Sequence, residues 1–366
     1  MGRLNAFAAF LAVLVAAGCE KDSRSLAGPA ESTGDAATAS SPSALLSPTD
    51  LGSFGHGGNA NGINDVGQVV GWSSDLNSVT RAFSWDVSNG MIDIGTLGGR
   101  TATAFAVNGS GQVVGSSEIA ALGRIHAFLW SVTGGMVDLG TLAGHNYSTA
   151  HDLNAGGQVV GSSGISQGNN SGNRAFLWNP TTGMRGLGTL PGGKKSDGAA
   201  INSSGWVVGT SATSGKLKPR AFLWRQGMGM TNLGVLPGGN ASHALDINDA
   251  GQIVGYSTIA GGAEHAFVWK SGTGFRDLGT LGGRGSRAFG INSGGQVVGV
   301  SDTGVLDSHG LAITHAFLWD PTNGMTDLGD LGNFHHRSSA AALNTSGQIV
   351  GWSDVPSGYL DPILWQ

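Results

Sequence analysis

Residues 104–142 read Ala104-Phe105-Ala106-Val107-Asn108-Gly109-Ser110-Gly111-Gln112-Val113-Val114-Gly115-Ser116-Ser117, then a connecting stretch, then His126-Ala127-Phe128-Leu129-Trp130, and finally Gly134-Gly135-Met136-Val137-Asp138-Leu139-Gly140-Thr141-Leu142. Versions of this text occur seven times along the 366 residues. The marker asparagines are Asn64, Asn108, Asn154, Asn202, Asn248, Asn292 and Asn344, at spacings of 44, 46, 48, 46, 44 and 52. A fixed period of this length marks a repeat architecture, so each copy is one supersecondary unit that cannot bury its apolar faces alone.

Each unit contains four strand-like runs, seen for example at Ala288–Asn292, Gln296–Ser301, His315–Trp319 and Met325–Leu331. The turns between them have a mechanism. Every first-to-second connection reads Asn-x-x-Gly, which suits a type I turn closed by a glycine at positive φ. Third-to-fourth connections such as Asn179-Pro180-Thr181-Thr182-Gly183 are equally tight. The four runs of a unit should therefore form one antiparallel sheet. The ends complement each other. The seventh unit stops at Ile363-Leu364-Trp365 without a fourth strand, and Thr49-Asp50-Leu51-Gly52 is a fourth strand with no unit before it. A closed ring uses both and removes the exposed edges of an open stack. The expected fold is all-β, a seven-bladed β-propeller over residues 49–366, closed by the N-terminal strand completing the last blade.

Composition agrees. Only 12% of residues are charged and 65 are glycine, too many for a helical protein and without the Gly-X-Y period of collagen. The net charge is −5, and no basic run exceeds Lys194-Lys195, so no nucleic-acid partner is expected. Upstream of the repeats, Arg3 precedes an apolar run from Ala6 to Gly18 that is too short to span a bilayer. Cys19, the only cysteine, follows it, and residues 19–48 are rich in Ser, Ala, Gly, Thr and Pro, as a flexible tether is. Residues 1–18 with Cys19 resemble a bacterial lipoprotein signal, with Ala17 and Gly18 matching the small residues before the cysteine and Ala16 standing where leucine is usual. The resemblance implies cleavage before Cys19, its lipidation, and display on the outer membrane or cell surface, Glu20 fitting that sorting. Otherwise the chain is periplasmic or secreted.

The repeat itself resembles the HAF repeat of bacterial extracellular repeat proteins, through His126-Ala127-Phe128, His265-Ala266-Phe267 and His315-Ala316-Phe317. That likeness implies export and repeat architecture and no particular activity.

Residues common to every unit read as structural. The tryptophans closing the third strands (Trp85, Trp130, Trp178, Trp224, Trp269, Trp319 and Trp365) should pack between blades. The residues before Ala-Phe are Arg81, His126, Arg174, Arg220, His265 and His315, with Asp361 in the last unit. They read either as an anion-binding cationic ring or as partners of the fourth-strand acids Asp93, Asp138, Asp277 and Asp327; cross-strand pairing is the favoured reading. Function is better sought where the repeat is broken. Trp72 and Trp352 hold the same place in units one and seven, which closure makes neighbours. His56, His335, His336 and Arg337 fall in the same sector, and the long loop of unit six adds Asp302, Asp307 and His309. Together they suggest a ligand site at the seam of blades 6, 7 and 1. Aromatics there could stack on a glycan, peptide or surface protein in a monomeric, non-catalytic binding or adhesion module. The alternative is a hydrolase, lyase or metal-dependent enzyme at the same seam. No His-Glu-x-x-His spacing, helix-borne Gly-x-Ser-x-Gly elbow or phosphate loop supports it, and no catalytic residue, metal ligand or cofactor is assigned.

Overall fold

The computed structural model describes residues 46–120, 123–165, 172–214, 218–332, 336–355 and 358–366. Cys19, the signal-like segment, most of the tether and His335 lie outside the described residues. The described chain forms 28 strands in seven four-stranded antiparallel sheets arranged as a closed β-propeller. In blade 1 the inner strand is Gly55–Ile63, followed outward by Val69–Asp75, Thr80–Asp86 and Gly90–Asp93. Blade 7 runs Ser338–Leu343, Ile349–Asp354 and Leu360–Trp365, and its outer strand is Pro48–Asp50. There Pro48 pairs with Trp365, Thr49 with Leu364 and Asp50 with Ile363, so the two ends of the chain close the ring.

Four recurring residue types build each blade. The marker asparagine forms the turn: Asn108 Oδ1 accepts the amides of Ser110 and Gln112, and Gly111 completes it at φ 75°. The second-strand glycine is forced by packing, since a Cβ on Gly115 would lie 2.0 Å from the Thr103 carbonyl oxygen and 2.8 Å from the Phe128 ring. That ring and its counterparts Phe83, Phe176, Phe222, Phe267 and Phe317 are fully buried. The second-strand serine fixes the incoming loop. In every blade, from Ser73 to Ser353, its Oγ accepts the amide of a residue in the blade-to-blade connection, as Leu97 donates to Ser117 at 2.9 Å.

The core lies between blades. One apolar cluster occupies each junction; at the third it joins Val160, Ala175 and Leu177 of blade 3 to Ile201, Val207, Phe222 and Trp224 of blade 4. The closure junction joins Leu51, Val350 and Leu364 to Ala60, Val69 and Phe83. Third-strand tryptophans sit in these junctions, and where the outer strand of the preceding blade offers arginine it covers the indole: Arg185 over Trp224 at 5.2 Å, Arg276 over Trp319 at 4.8 Å.

A second closed circuit rings the axis. Each marker asparagine donates its Nδ2 to the backbone carbonyl of the marker asparagine in the next blade: 64 to 108, 108 to 154, 154 to 202, 202 to 248, 248 to 292, 292 to 344, and 344 back to 64, at 3.0–3.3 Å. All seven are buried. The Asn turns thus define one face of the ring, the turn face. The second-to-third and blade-to-blade connections lie on the other, the loop face.

Candidate functional site

The inner strand of every blade carries the invariant small residue (Ala60, Ala104, Ala150, Gly198, Ala244, Ala288, Ala340), and a β-bulge follows it. A bulge re-aims side chains. The bulged residues, Asn61, Phe105, His151, Ala199, Leu245, Phe289 and Ala341, are all partly exposed, each following a buried small residue. Two cap the open edge of the next inner strand: Asn61 donates to the Ala104 carbonyl at 2.7 Å, and His151 Nδ1 lies 2.8 Å from the Gly198 carbonyl. One residue further on, Asp152 accepts the Ile201 amide and Asp246 the Ile291 amide, each at 2.8 Å. Burial, with the Asp246 charge next in size, pushes the Asp152 carboxyl up to about 7, and burial pushes Asp246 up to about 6.

Toward the loop face, the residue before the small one varies among the blades, only Thr occurring twice: Asn59, Thr103, Thr149, Asp197, His243, Arg287, Ser339. Each is paired in register with a second-strand residue that varies as widely: Trp72, Ser116, Ser162, Thr210, Tyr256, Val300, Trp352. The second-strand member reaches across the junction to the next inner strand. Ser162 bonds Asp197, Thr210 Oγ1 lies 3.2 Å from His243 Nδ1, and Arg287 stacks 4.9 Å from the Tyr256 ring. Tyr256 also stacks on His243 at 4.5 Å, and Arg287 pairs with Glu264. Burial first, with the Arg287 charge as a lesser cause, holds His243 at about 4, against the pull of Glu264. By the same register Trp352 faces the blade 1 inner strand at Asn59, and Trp72 faces blade 2. The loop-face end of the inner strands is therefore a ring of seven side-chain pairs of six kinds, only the Thr–Ser pair of blades 2 and 3 recurring, on an otherwise constant scaffold.

The residues expected at the seam divide into groups. Trp72 and Trp352 are partly exposed on the second strands of adjacent blades. His56, paired in register with Ser74, has its ring 5.3 Å from Tyr359 of the blade 7 hairpin and its Nδ1 buried without a hydrogen-bond partner. Arg337 is tied to Asp354 at 3.3 Å, and His336 to Asp330 at 3.3 Å. Asp302 accepts the Gly285 amide and so caps the loop into its own blade. Asp307 organises the tip of the long blade 6 hairpin by accepting the amides of His309 and Leu311, and His309 projects from that tip, 69% exposed. The seam thus places Trp72 and Trp352 on the second strands of adjacent blades, sets His56 against Tyr359, and leaves Arg337 and Asp302 engaged within their blades. Among the described residues no group of three or more His, Cys, Asp or Glu is arranged to hold a metal ion.

The basic residues before Ala-Phe pair with acids as cross-strand partners. His126, His265 and His315 lie 2.8–2.9 Å from Asp138, Asp277 and Asp327, and Arg81 lies 3.1 Å from Asp75 and 3.8 Å from Asp93. The Asp327 hydrogen bond is the main cause raising the His315 pKa. Where Gly186 and Asn232 replace the acid, Arg174 and Arg220 turn instead to the backbone carbonyls of Lys194 and Asn240.

Sequence reasoning missed Tyr256, His243, Arg287 and Asp197. A signal existed: in the aligned repeats these two columns vary beside invariant neighbours. Only their tryptophans had been singled out.

No family model matches the chain, and neither does any curated protein. Solved propellers do. The acylaminoacyl peptidase of Pyrococcus horikoshii matches with 11% identity and a TM-score of 0.54, over 87% of this chain and 52% of that one. The β-propeller domain of the Trilobed protease from Pyrococcus furiosus matches with 12% identity and a TM-score of 0.49, over 74% and 79%. The BP39L lectin from Burkholderia pseudomallei matches with 10% identity and a TM-score of 0.46, over 87% and 98%. These likenesses extend to the fold alone.

Proposed function

We propose that this propeller is a non-catalytic binding module that engages a glycan, peptide or surface protein through its loop face at blades 6, 7 and 1. One observation carries the reading. Among the described residues, the large apolar side chains exposed on the loop-face connections are Leu76, Val305, Leu306, Leu311 and Tyr359, and all five belong to the second-to-third hairpins of those three blades. They flank Trp72 and Trp352. An apolar patch rimmed by polar groups is the mark of an interaction surface, and indoles offer apolar area together with a polar N–H. The test is a glycan-array and cell-wall-polymer binding screen with the full chain. Replacing Trp72 and Trp352 together by Ala should reduce binding at least tenfold and move the melting temperature by only a few degrees. If the double variant fails to fold, the rings are core and the platform reading is wrong.

In this reading Cys19 is lipidated and the chain is displayed at the outer membrane or cell surface. The segment before Pro48 joins the ring on the turn face, where Ser47 meets Gln366. A Cys19→Ser variant should lose incorporation of a labelled fatty acid and leave the membrane fraction. Unchanged labelling would refute the anchor.

A further inference from the structure

The blade that closes the ring is built differently from the others. Its outer strand, Pro48–Asp50, is the one outer strand among the described residues that no hairpin turn joins to its third strand. It is held by three residue pairs, by backbone hydrogen bonds of Ser47 with Gln366 and of the Leu51 amide with the Pro362 carbonyl, and by the packing of Leu46 and Leu51. In four other blades a base on the third strand faces the outer-strand acid. In blade 7 the corresponding residues are Asp361 and Asp50, two carboxylates. Burial, with the Asp50 charge second, pushes Asp361 up to about 6, and its Oδ1 is buried without a hydrogen-bond partner.

A second device is missing here, as it is at the blade 1–2 junction, where Ala102 stands in the serine's place. At five junctions a buried serine at the start of the next inner strand (Ser148, Ser196, Ser242, Ser286, Ser338) accepts the amide of the Ala before Phe and donates to the carbonyl of the Asp-Leu-Gly or equivalent glycine. At the closure junction Pro362 has no N–H to give, and Gly58 has no hydroxyl to receive it. Finally, the connection from the closing strand into blade 1 is only Gly52-Ser53-Phe54, with Gly52 at φ 80°, before the inner strand begins at Gly55. A connection this short is where strand exchange can pivot.

We infer that the closing strand is exchangeable between copies: residues 46–51 of one chain complete blade 7 of a second chain, with residues 52–54 as the hinge, giving a strand-swapped dimer. Blade 7 is then an acceptor groove, and its partner is a second copy of this chain. The swapped and unswapped forms make the same strand contacts, so concentration and hinge geometry decide between them. The chain's own strand competes at an effective concentration of about millimolar, so exchange is favoured where copies are crowded.

Two full-length preparations in a Cys19→Ser background, differing only in affinity tag, are mixed at roughly millimolar concentration. They are held a few degrees below their melting temperature, diluted and co-purified. Mixed dimers should form slowly and survive dilution. Asp361→His, which restores the base–acid pair of the other blades, should cut their yield at least fivefold. On the unsubstituted chain, a tenfold excess of a synthetic peptide of residues 45–54 should do the same, and a scrambled peptide should not. No mixed dimer at any concentration overturns the inference. So do mixed dimers whose yield ignores the peptide, a result that would place the contact elsewhere on the surface. The peptide arm keeps the test decisive even if Asp361→His disturbs folding.

Discussion

Trp365→Ala should destabilise the protein by about 3–5 kcal/mol, on the order of 10 °C in melting temperature. Trp365 is the largest fully buried side chain in the described structure, at 0% exposure. It lies in the cluster of blades 6 and 7 with Val298, Ala316, Ile349 and Ile363, and it pairs in register with Pro48 of the closing strand. Its removal leaves a cavity at the junction that must also hold the ends of the chain. The indole is not ideal for its site, because Nε1 is buried without a hydrogen-bond partner. Trp365→Phe, which removes that unsatisfied donor, should therefore cost much less than the alanine variant. Thermal or urea unfolding reads both. A loss below about 1 kcal/mol for Trp365→Ala would mean that the junction collapses around the vacancy, and that blade 7 is not packed as described.

Asn344→Ala should cost about 2–4 kcal/mol, the sum of several buried hydrogen bonds each worth about 1 kcal/mol net. Asn344 Nδ2 donates to the Asn64 carbonyl and to Gln348 Oε1, and Oδ1 accepts the amides of Ser346 and Gln348. The oxygen serves the turn, and the nitrogen serves the circuit around the axis. Asn344→Asp separates the two. It keeps the acceptor and places a second carboxylate oxygen against two oxygen acceptors. At neutral pH it should be at least as destabilising as the alanine variant. If Asn344→Asp unfolds like the parent chain, the asparagines matter only as turn formers, and the circuit contributes nothing.

The architecture was open to sequence reading because it is written seven times. Asn-x-x-Gly turns, the Gly of Gln-Val-Val-Gly and the unmatched Thr49-Asp50-Leu51-Gly52 each report a local geometric demand, and repetition separates demand from accident. The bond from Asn344 to Asn64 could not be read this way. It depends on how inner strands of different blades stand around the axis, and no local pattern encodes that. The seam was legible only in outline. Trp72 and Trp352 stand out as rare residues in a repeated frame, and His56 lies against Tyr359, a contact between blades 1 and 7. Arg337 and Asp302 carry the same functional look in sequence, yet each is engaged within its own blade, by Asp354 and by the Gly285 amide. The pairs Thr210–His243 and Tyr256–Arg287 escaped because their members come from different blades.

The closed asparagine circuit also bears on the order of assembly. Six of its seven bonds join residues 44–52 apart, while the last spans 280 residues. Loop-closure entropy grows with the length enclosed, and contacts of large sequence separation slow folding. Blades can therefore stack one on the next as an open arc while the chain is still incomplete. The final junction waits for Leu364 and the rest of the blade 7 third strand. Until they arrive, the arc exposes two apolar sheet faces and an unfilled place in blade 7. For this molecule the vulnerable interval is the time between the sixth junction and the seventh.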